Sequence, residues 1–567
     1  MGGFSLTRLA VPDKDMKVKN ITYIHAYCMC ARVWVQQRAK VELPSTLPAM
    51  SSHSRDFFVD TPIGYITRCV TKGSWLKFPE DDDGYQIPSF DEPITTYREH
   101  SRDDAILVGW YEPDDNANPH NWSTTKKAYV YFVINYANAA VYLSSSIFAA
   151  SQEGVMAEFH VSHTIASLGL ALFVLGYGFG PLIFSPLADV ARIGRNPPYL
   201  VATAVYLVIS VLAASEGNVE GLMVLRFLQG FFGAPMLTSG GASLSDISSE
   251  NMRPLALYTW ACSGFAAASL APVISGFAVP VMGWRWALWE LVLANAPVIF
   301  LLLCLPETSA SNILYARSQR LSRIDPSRDY RLMETKPTKS TRDLLFRSLV
   351  VPWQMHLLDP SIMFTSVYAG CVYGIYYSFF EILPTVYEGL YGFSMGQTGL
   401  VYLSIVIAVV TIGIPYCFYT HYWVTPAVID GGQIEPEKRL IPAVLASLLV
   451  PLGMFIFAWT SREDIHWMAP TIGVALTAAG LVIILQCIFV YISLGYPDYA
   501  ASAFAGNGFV RCLIPTGALL WFTPLYDRLG VAGGSTLLGG LCILGVVGMV
   551  VLYKWGGELR KRSRFAR

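Results

Sequence analysis

Charge is scarce in this chain: Asp, Glu, Lys and Arg make up 14% of its 567 residues, against ~25% in soluble domains. That is too little polar surface for a soluble fold of this length. Neither sign dominates, since 40 basic and 41 acidic residues leave a net charge of −1; no nucleic-acid partner is expected. The ten cysteines offer no disulfide framework, because Cys262, Cys304, Cys371, Cys417, Cys487, Cys512 and Cys542 stand far apart in apolar stretches and read as small packing residues. Cys28 and Cys30 lack a second pair at ligand spacing, so no metal is expected. The phosphate loop GxxxxGK[ST] does not occur and His160-x-x-His163 is a lone pair, so neither an ATP-driven pump nor a membrane enzyme is expected, and no cofactor. Residues 1–20 have no apolar core, and no cleavable leader is expected.

Apolar residues are plentiful instead, at 53% with a mean hydropathy of +0.42. A helix of about 20 apolar residues crosses a ~30 Å hydrocarbon layer, and twelve such stretches can be marked. They lie near 128–150, 164–188, 198–215, 221–245, 255–281 and 286–304, then near 361–386, 396–419, 439–459, 468–490, 499–522 and 533–554. The expected architecture is an all-α membrane protein of two six-helix bundles, residues 127–304 and 361–555. A polar N-terminal region, 1–126, is expected to be cytosolic and largely disordered, given its acidic run Glu80-Asp81-Asp82-Asp83 and scattered prolines. Residues 305–360 form a cytosolic central loop and 556–567 a basic cytosolic tail.

Orientation follows from basic residues, which stay on the cytoplasmic side in short connections. Alternate connections carry Arg192 and Arg195, Arg253, a central cluster from Arg317 to Arg347, then Lys438 and Arg439; the tail adds Arg560, Lys561, Arg562, Arg564 and Arg567. The intervening connections hold only Arg285, Arg462 and Arg528. Both termini are therefore expected in the cytosol, and the sequons at Asn20 and Asn121 stand on the side that receives no glycan.

A charge inside a span is costly and marks function by default. Arg226 shares a helical stripe with Gly230, Gly233 and Leu237, where another helix can approach closely; it is expected to serve transport rather than folding. Arg511 lies near the middle of the eleventh span, one turn from Asn507. Tyr373, Tyr377 and Glu381 follow at i, i+4 and i+8 in the seventh span, and Asn135, Asn138 and Tyr142 at i, i+3 and i+7 in the first. These polar and aromatic faces suit a cavity for amphipathic molecules. Glu381 is the candidate proton carrier, although ~30 Å of helix separates it from Ser361, which puts it at the outer mouth, where solvation is the competing expectation. Ala267, Ala271, Pro272, Ser275 and Gly276 give the fifth span a small-residue face with a kinking proline. After the second span, Asp189, Arg192, Gly194 and Arg195 set an acid at a helix end before two arginines in a tight turn. With Asp246 at the end of the fourth span, they are the expected conformational latch.

The stretch Gly180 to Pro197 resembles the motif between spans two and three of the major facilitator superfamily, in the Ile-Gly-Arg-Asn-Pro form (193–197) of the fungal twelve-span drug:proton antiporters. Arg226 to Ala234 is similar to that group's fourth-span motif, and 267–276 to its fifth-span antiporter motif, departing at Ala271 and Ser275, where glycines are usual. Leu305-Pro306-Glu307-Thr308 and Pro436-Glu437-Lys438-Arg439-Leu440 extend the likeness to roughly residues 55–566, which makes Met50 a candidate start. The resemblance implies rocking bundles around a central site, driven by the proton gradient. It points to a monomeric plasma-membrane exporter of small amphipathic organic molecules such as toxins, antifungal drugs or secondary metabolites. A polyamine or nutrient transporter is the alternative.

Overall fold

A computed structural model describes residues 57–71, 76–81, 85, 106–249, 252–332, 341–429 and 435–566. Asn20, Cys28, Cys30, Met50, Asp82, Asp83, Lys336, Lys339 and Arg567 lie outside them.

Helices dominate because long apolar stretches can satisfy their backbone in lipid only internally. The N-terminal half runs through Thr124–Ser146, His163–Ala188, Asn196–Ser215, Val219–Ile247, Arg253–Met282 and Arg285–Leu303. The C-terminal half runs through Pro360–Tyr387, Met395–Val401 with Leu403–Tyr419, Ile441–Thr460, Met468–Gly495 and Ala500–Lys561. Side-chain caps start several of them. Ser123 accepts the Lys126 amide, Asn218 that of Glu220 and Asp359 those of Ser361 and Ile362; Ser394 and Gln397 form a reciprocal box.

The 62-residue stretch Ala500–Lys561 would span ~93 Å if straight. It folds back at Gly530, whose φ of 69° is open to glycine; Phe565 thereby returns to within 5.3 Å of Tyr499, ring to ring. Ten described helices are long and apolar enough to cross a membrane by length and composition, this folded pair counting as one. Pro360–Tyr387 has the length but, rich in tyrosine and serine, is not among the ten.

Close helix contacts rest on glycine. A Cβ on Gly176 would sit 2.1 Å from the Phe227 carbonyl oxygen, and one on Gly230 2.0 Å from that of Phe173, so the second and fourth spans touch backbone to backbone. The halves meet where the second span packs on the eleventh and the fifth on the eighth.

Three boundaries differ from expectation. The N-terminal region is ordered in its described parts: Pro62–Val70 is a helix, and Ile106–Val108 pairs in parallel with Tyr330–Leu332 of the central loop. The cause is a set of partners far along the chain. Arg317 of the loop helix Ala310–Ile324 reaches Asp115 at 2.8 Å and Glu80 at 3.5 Å and lies over the Tyr111 ring at 4.0 Å, while Arg320 lies 3.8 Å over Phe78. Glu80, from the acidic run expected to be poorly ordered, is buried there. The central loop carries a second helix, Thr341–Leu358. The tail's first residues continue the last helix to Lys561, and Arg560 grips Glu437 through Nε at 2.7 Å and Nη2 at 2.9 Å.

Candidate functional site

Three layers of polar residues run through the bundle. At the face away from the chain end, Glu381 of the seventh span reaches the N-terminal half. Its carboxylate accepts a hydrogen bond from Gln152 at 2.9 Å and lies 3.5 Å from His163 Nε2. Gln152 and His163 flank the connection between the first two spans. The Glu381 side chain is 4% exposed, so this carboxylate, for which solvation was the competing expectation, is enclosed between the halves. Nearby, the small-residue face of the fifth span meets the start of the eighth: Gly276 packs on the Met395 carbonyl, and Pro272 on Gly399. Ala271 and Ser275 are fully buried, and Ala267 nearly so.

In the middle layer, the halves touch through tyrosines. Tyr177 of the second span donates to the Tyr373 hydroxyl at 2.9 Å, and the Tyr142 ring lies edge-on to Tyr177 at 6.4 Å. Tyr373 and Tyr377 are 5.1 Å apart, ring to ring, and both are fully buried. The face expected to line a cavity is thus a packed ring cluster in this structure. The Arg511 guanidinium joins it, 4.9 Å over Tyr373 and 5.5 Å over Phe489. One turn away, Asn507 donates to Ser366 at 3.0 Å, and Ser366 also bonds His356 of the loop helix.

Three expected pathway residues turn elsewhere. Asn138 donates to the Trp260 carbonyl and to Ser263, both at 2.9 Å, tying the first span to the fifth. Asn135 donates to the Tyr131 carbonyl and borders a groove of about 470 Å³ with Phe132, Tyr136 and Thr259. Arg226 has no exposure and bonds only within the N-terminal half: to the Gly169 and Ser144 carbonyls and to Gln229, each at 3.0 Å, with Phe148 and Phe173 on its faces.

At the face that carries the chain end, Arg195 reaches Asp246 at 2.7 Å and Asp189 at 3.1 Å. Burial alone would depress the Arg195 pKa, but Asp246 and Asp189 outweigh it and raise it. Its backbone amide and that of Asn196 donate to Glu307, a carboxyl that burial raises above its ordinary pKa against the pull of these amides. Gly194 has φ +77°, and a Cβ there would lie 2.7 Å from a Glu307 oxygen, so side chains are excluded twice over. Arg192 does not join them. It is exposed and makes no ion pair among the described residues, because the turn that directs Arg195 inward leaves it outside. All these partners belong to the N-terminal half, so the latch ties the ends of spans two, three, four and six together.

Sequence reasoning missed Gln152 and Tyr177, which carry no charge pattern, took His163 only as half of a lone pair, and foresaw no partner for Glu307, Glu437 or Arg560. Glu307 and Glu437 lie in the Leu-Pro-Glu-Thr and Pro-Glu-Lys-Arg-Leu stretches; a carboxylate at each of two bundle ends, the second beside Lys438 and Arg439, was the available signal.

A helical bundle of this length with buried charge between two halves is the architecture of a secondary transporter. The Major Facilitator Superfamily profile matches residues 134–517, and the chain belongs to that family. It is 41% identical to the MFS-type transporter pyvG of Aspergillus violaceofuscus over 540 residues, 89% of this chain and 98% of that one. It is 36% identical to fluconazole resistance protein 1 of Saccharomyces cerevisiae over 472 residues, 82% of this chain and 86% of that one. In fold it is similar to the proton:xylose symporter XylE, at a TM-score of 0.56 and 11% identity, over 76% of this chain and 96% of that one. The family and its curated relatives make the chain a membrane transporter.

Proposed function

We propose that the chain is a proton-coupled exporter of amphipathic small organic molecules, crossing the plasma membrane twelve times with both termini in the cytosol and working as a monomer. The observation that carries the coupling is Glu381, a carboxyl enclosed between the halves and held by Gln152 across their junction. Taking up or releasing a proton there must change that bond, so protonation and outer closure are tied to one residue. Relatives whose names record drug resistance support export, and the enclosed aromatic middle suits amphipathic cargo. A polyamine or nutrient cation finds Arg511 rather than an acid in that layer.

One inward proton supplies ~2.3 kcal/mol per 100 mV, enough to export a neutral compound against about a tenfold gradient, which costs ~1.4 kcal/mol. Cells expressing the chain and loaded with an amphipathic dye should expel it, and a protonophore that leaves ATP intact should stop the efflux. Efflux that survives the protonophore but stops on ATP depletion would overturn the reading.

A further inference from the structure

Arg511 and Arg226 are both enclosed in spans with no acid among the described residues, and Arg511 stands apart in having no hydrogen-bond partner either. It is 7% exposed, its Nε makes no hydrogen bond, and no ion pair joins it among the described residues. Arg226, the other arginine enclosed in a span, is held through all three of its nitrogens by two carbonyls and Gln229. Glu381, eight residues beyond Tyr373, lies ~12 Å further along the helix and is engaged by Gln152 and His163.

Among the described residues, ring faces are what compensates Arg511. Cation–π contacts are worth about 0.5–2 kcal/mol, well below the several kcal/mol of effective cost for a buried ion. A guanidinium offers a planar fork that fits a carboxylate bidentately. What surrounds it is aromatic: Tyr373 and Phe489 under the guanidinium, with Tyr177 and Tyr376 beside Tyr373.

We infer that the cargo is an aromatic monocarboxylate, its carboxylate paired with Arg511 and its ring among the tyrosines. Only the direction of movement rests on the exporter reading above, and an inside-negative potential itself favours the exit of an anion. Binding does not depend on direction, so it can be tested without a gradient.

The test uses the full chain in lipid nanodiscs and three probes of one shape: 2-naphthoate, 2-naphthamide and 2-naphthylmethylammonium, titrated by calorimetry. The carboxylate should bind about 10- to 100-fold tighter than the amide, the span of a charge-assisted hydrogen bond, with the ammonium weakest. In Arg511→Gln the carboxylate-to-amide ratio should fall to near one; Arg511→Lys, which keeps the charge without the fork, should retain an intermediate ratio. Equal or reversed order in the wild type, absence of naphthoate binding, or an unchanged ratio in Arg511→Gln would overturn the inference. The wild-type order decides even if the glutamine variant does not fold. Because no proton gradient is present, failure here leaves the exporter reading standing, and only loss of gradient-driven efflux removes that one.

Discussion

Replacing Arg226 by alanine removes one side chain from three helices at once. Its donors hold the Ser144 carbonyl of the first span, the Gly169 carbonyl of the second and Gln229 of the fourth, each at 3.0 Å with no solvent access. The Gly169 carbonyl lies inside a helix and keeps its ladder bond, so its loss sits near the lower end of the ~1–3 kcal/mol for an unpaired buried group; the Ser144 carbonyl, in the last turn of its helix where ladder partners run out, costs more. Loss of the Phe148 and Phe173 contacts adds about 1 kcal/mol each. Against this, the cost of burying the charge disappears, which offsets several kcal/mol. The net expectation for Arg226→Ala is a loss of roughly 2–4 kcal/mol, a large part of the ~5–15 kcal/mol that holds a fold together. Arg226→Lys should fall between, since an ammonium cannot fill the flat slot between two rings. A thiol-reactive dye can follow unfolding in detergent, because Cys487, Cys512 and Cys542 are buried until the bundle opens. The sequence pointed to a residue needed for transport alone; the structure predicts that stability and transport fall together. Arg226→Ala that unfolds at the wild-type temperature yet transports nothing would refute this reasoning and restore the purely functional role.

Other perturbations separate residues that look alike in sequence. Arg195→Ala should slow turnover markedly and lower stability by about 1–3 kcal/mol through two unpaired carboxylates, whereas Arg192→Ala, an exposed site, should stay within ~0.5 kcal/mol in the same unfolding assay. Gly230→Val forces a side chain onto the Phe173 carbonyl and should abolish surface expression, read by a fluorescent fusion. At Asp115, burial raises the carboxyl pKa but Arg317 outweighs it, leaving it below the ordinary value. Its contribution is therefore complete above the unfolded pKa of ~3.9 and lost as pH falls through the lower folded value; protease accessibility of residues 106–115 should stay constant from pH 7 to 5 and rise only below about pH 4.

The spans were legible because hydrocarbon thickness sets their length, and Arg226 and Arg511 because charge in such a stretch is rare. Their partners were not legible. Gln152 and Glu381 are 229 residues apart, and no spacing rule predicts which loop closes over which helix end. Arg192 and Arg195 are equivalent in the motif, and only the left-handed Gly194 between them decides which one faces inward. Glu80 was not legible for a similar reason: it sits in a run of acids that reads as poorly ordered, while Arg317 and Arg320, more than 200 residues later, bury it.

The central claim is that proton movement and cargo movement meet at Glu381. In everted vesicles carrying the full chain, an imposed gradient, acidic inside, should drive uptake of an exported compound, and Glu381→Gln should leave binding in place while uptake ceases to respond to the gradient. Gradient-driven uptake unchanged in Glu381→Gln would contradict the account, as would cargo in the wild type moving only along with the proton rather than against it.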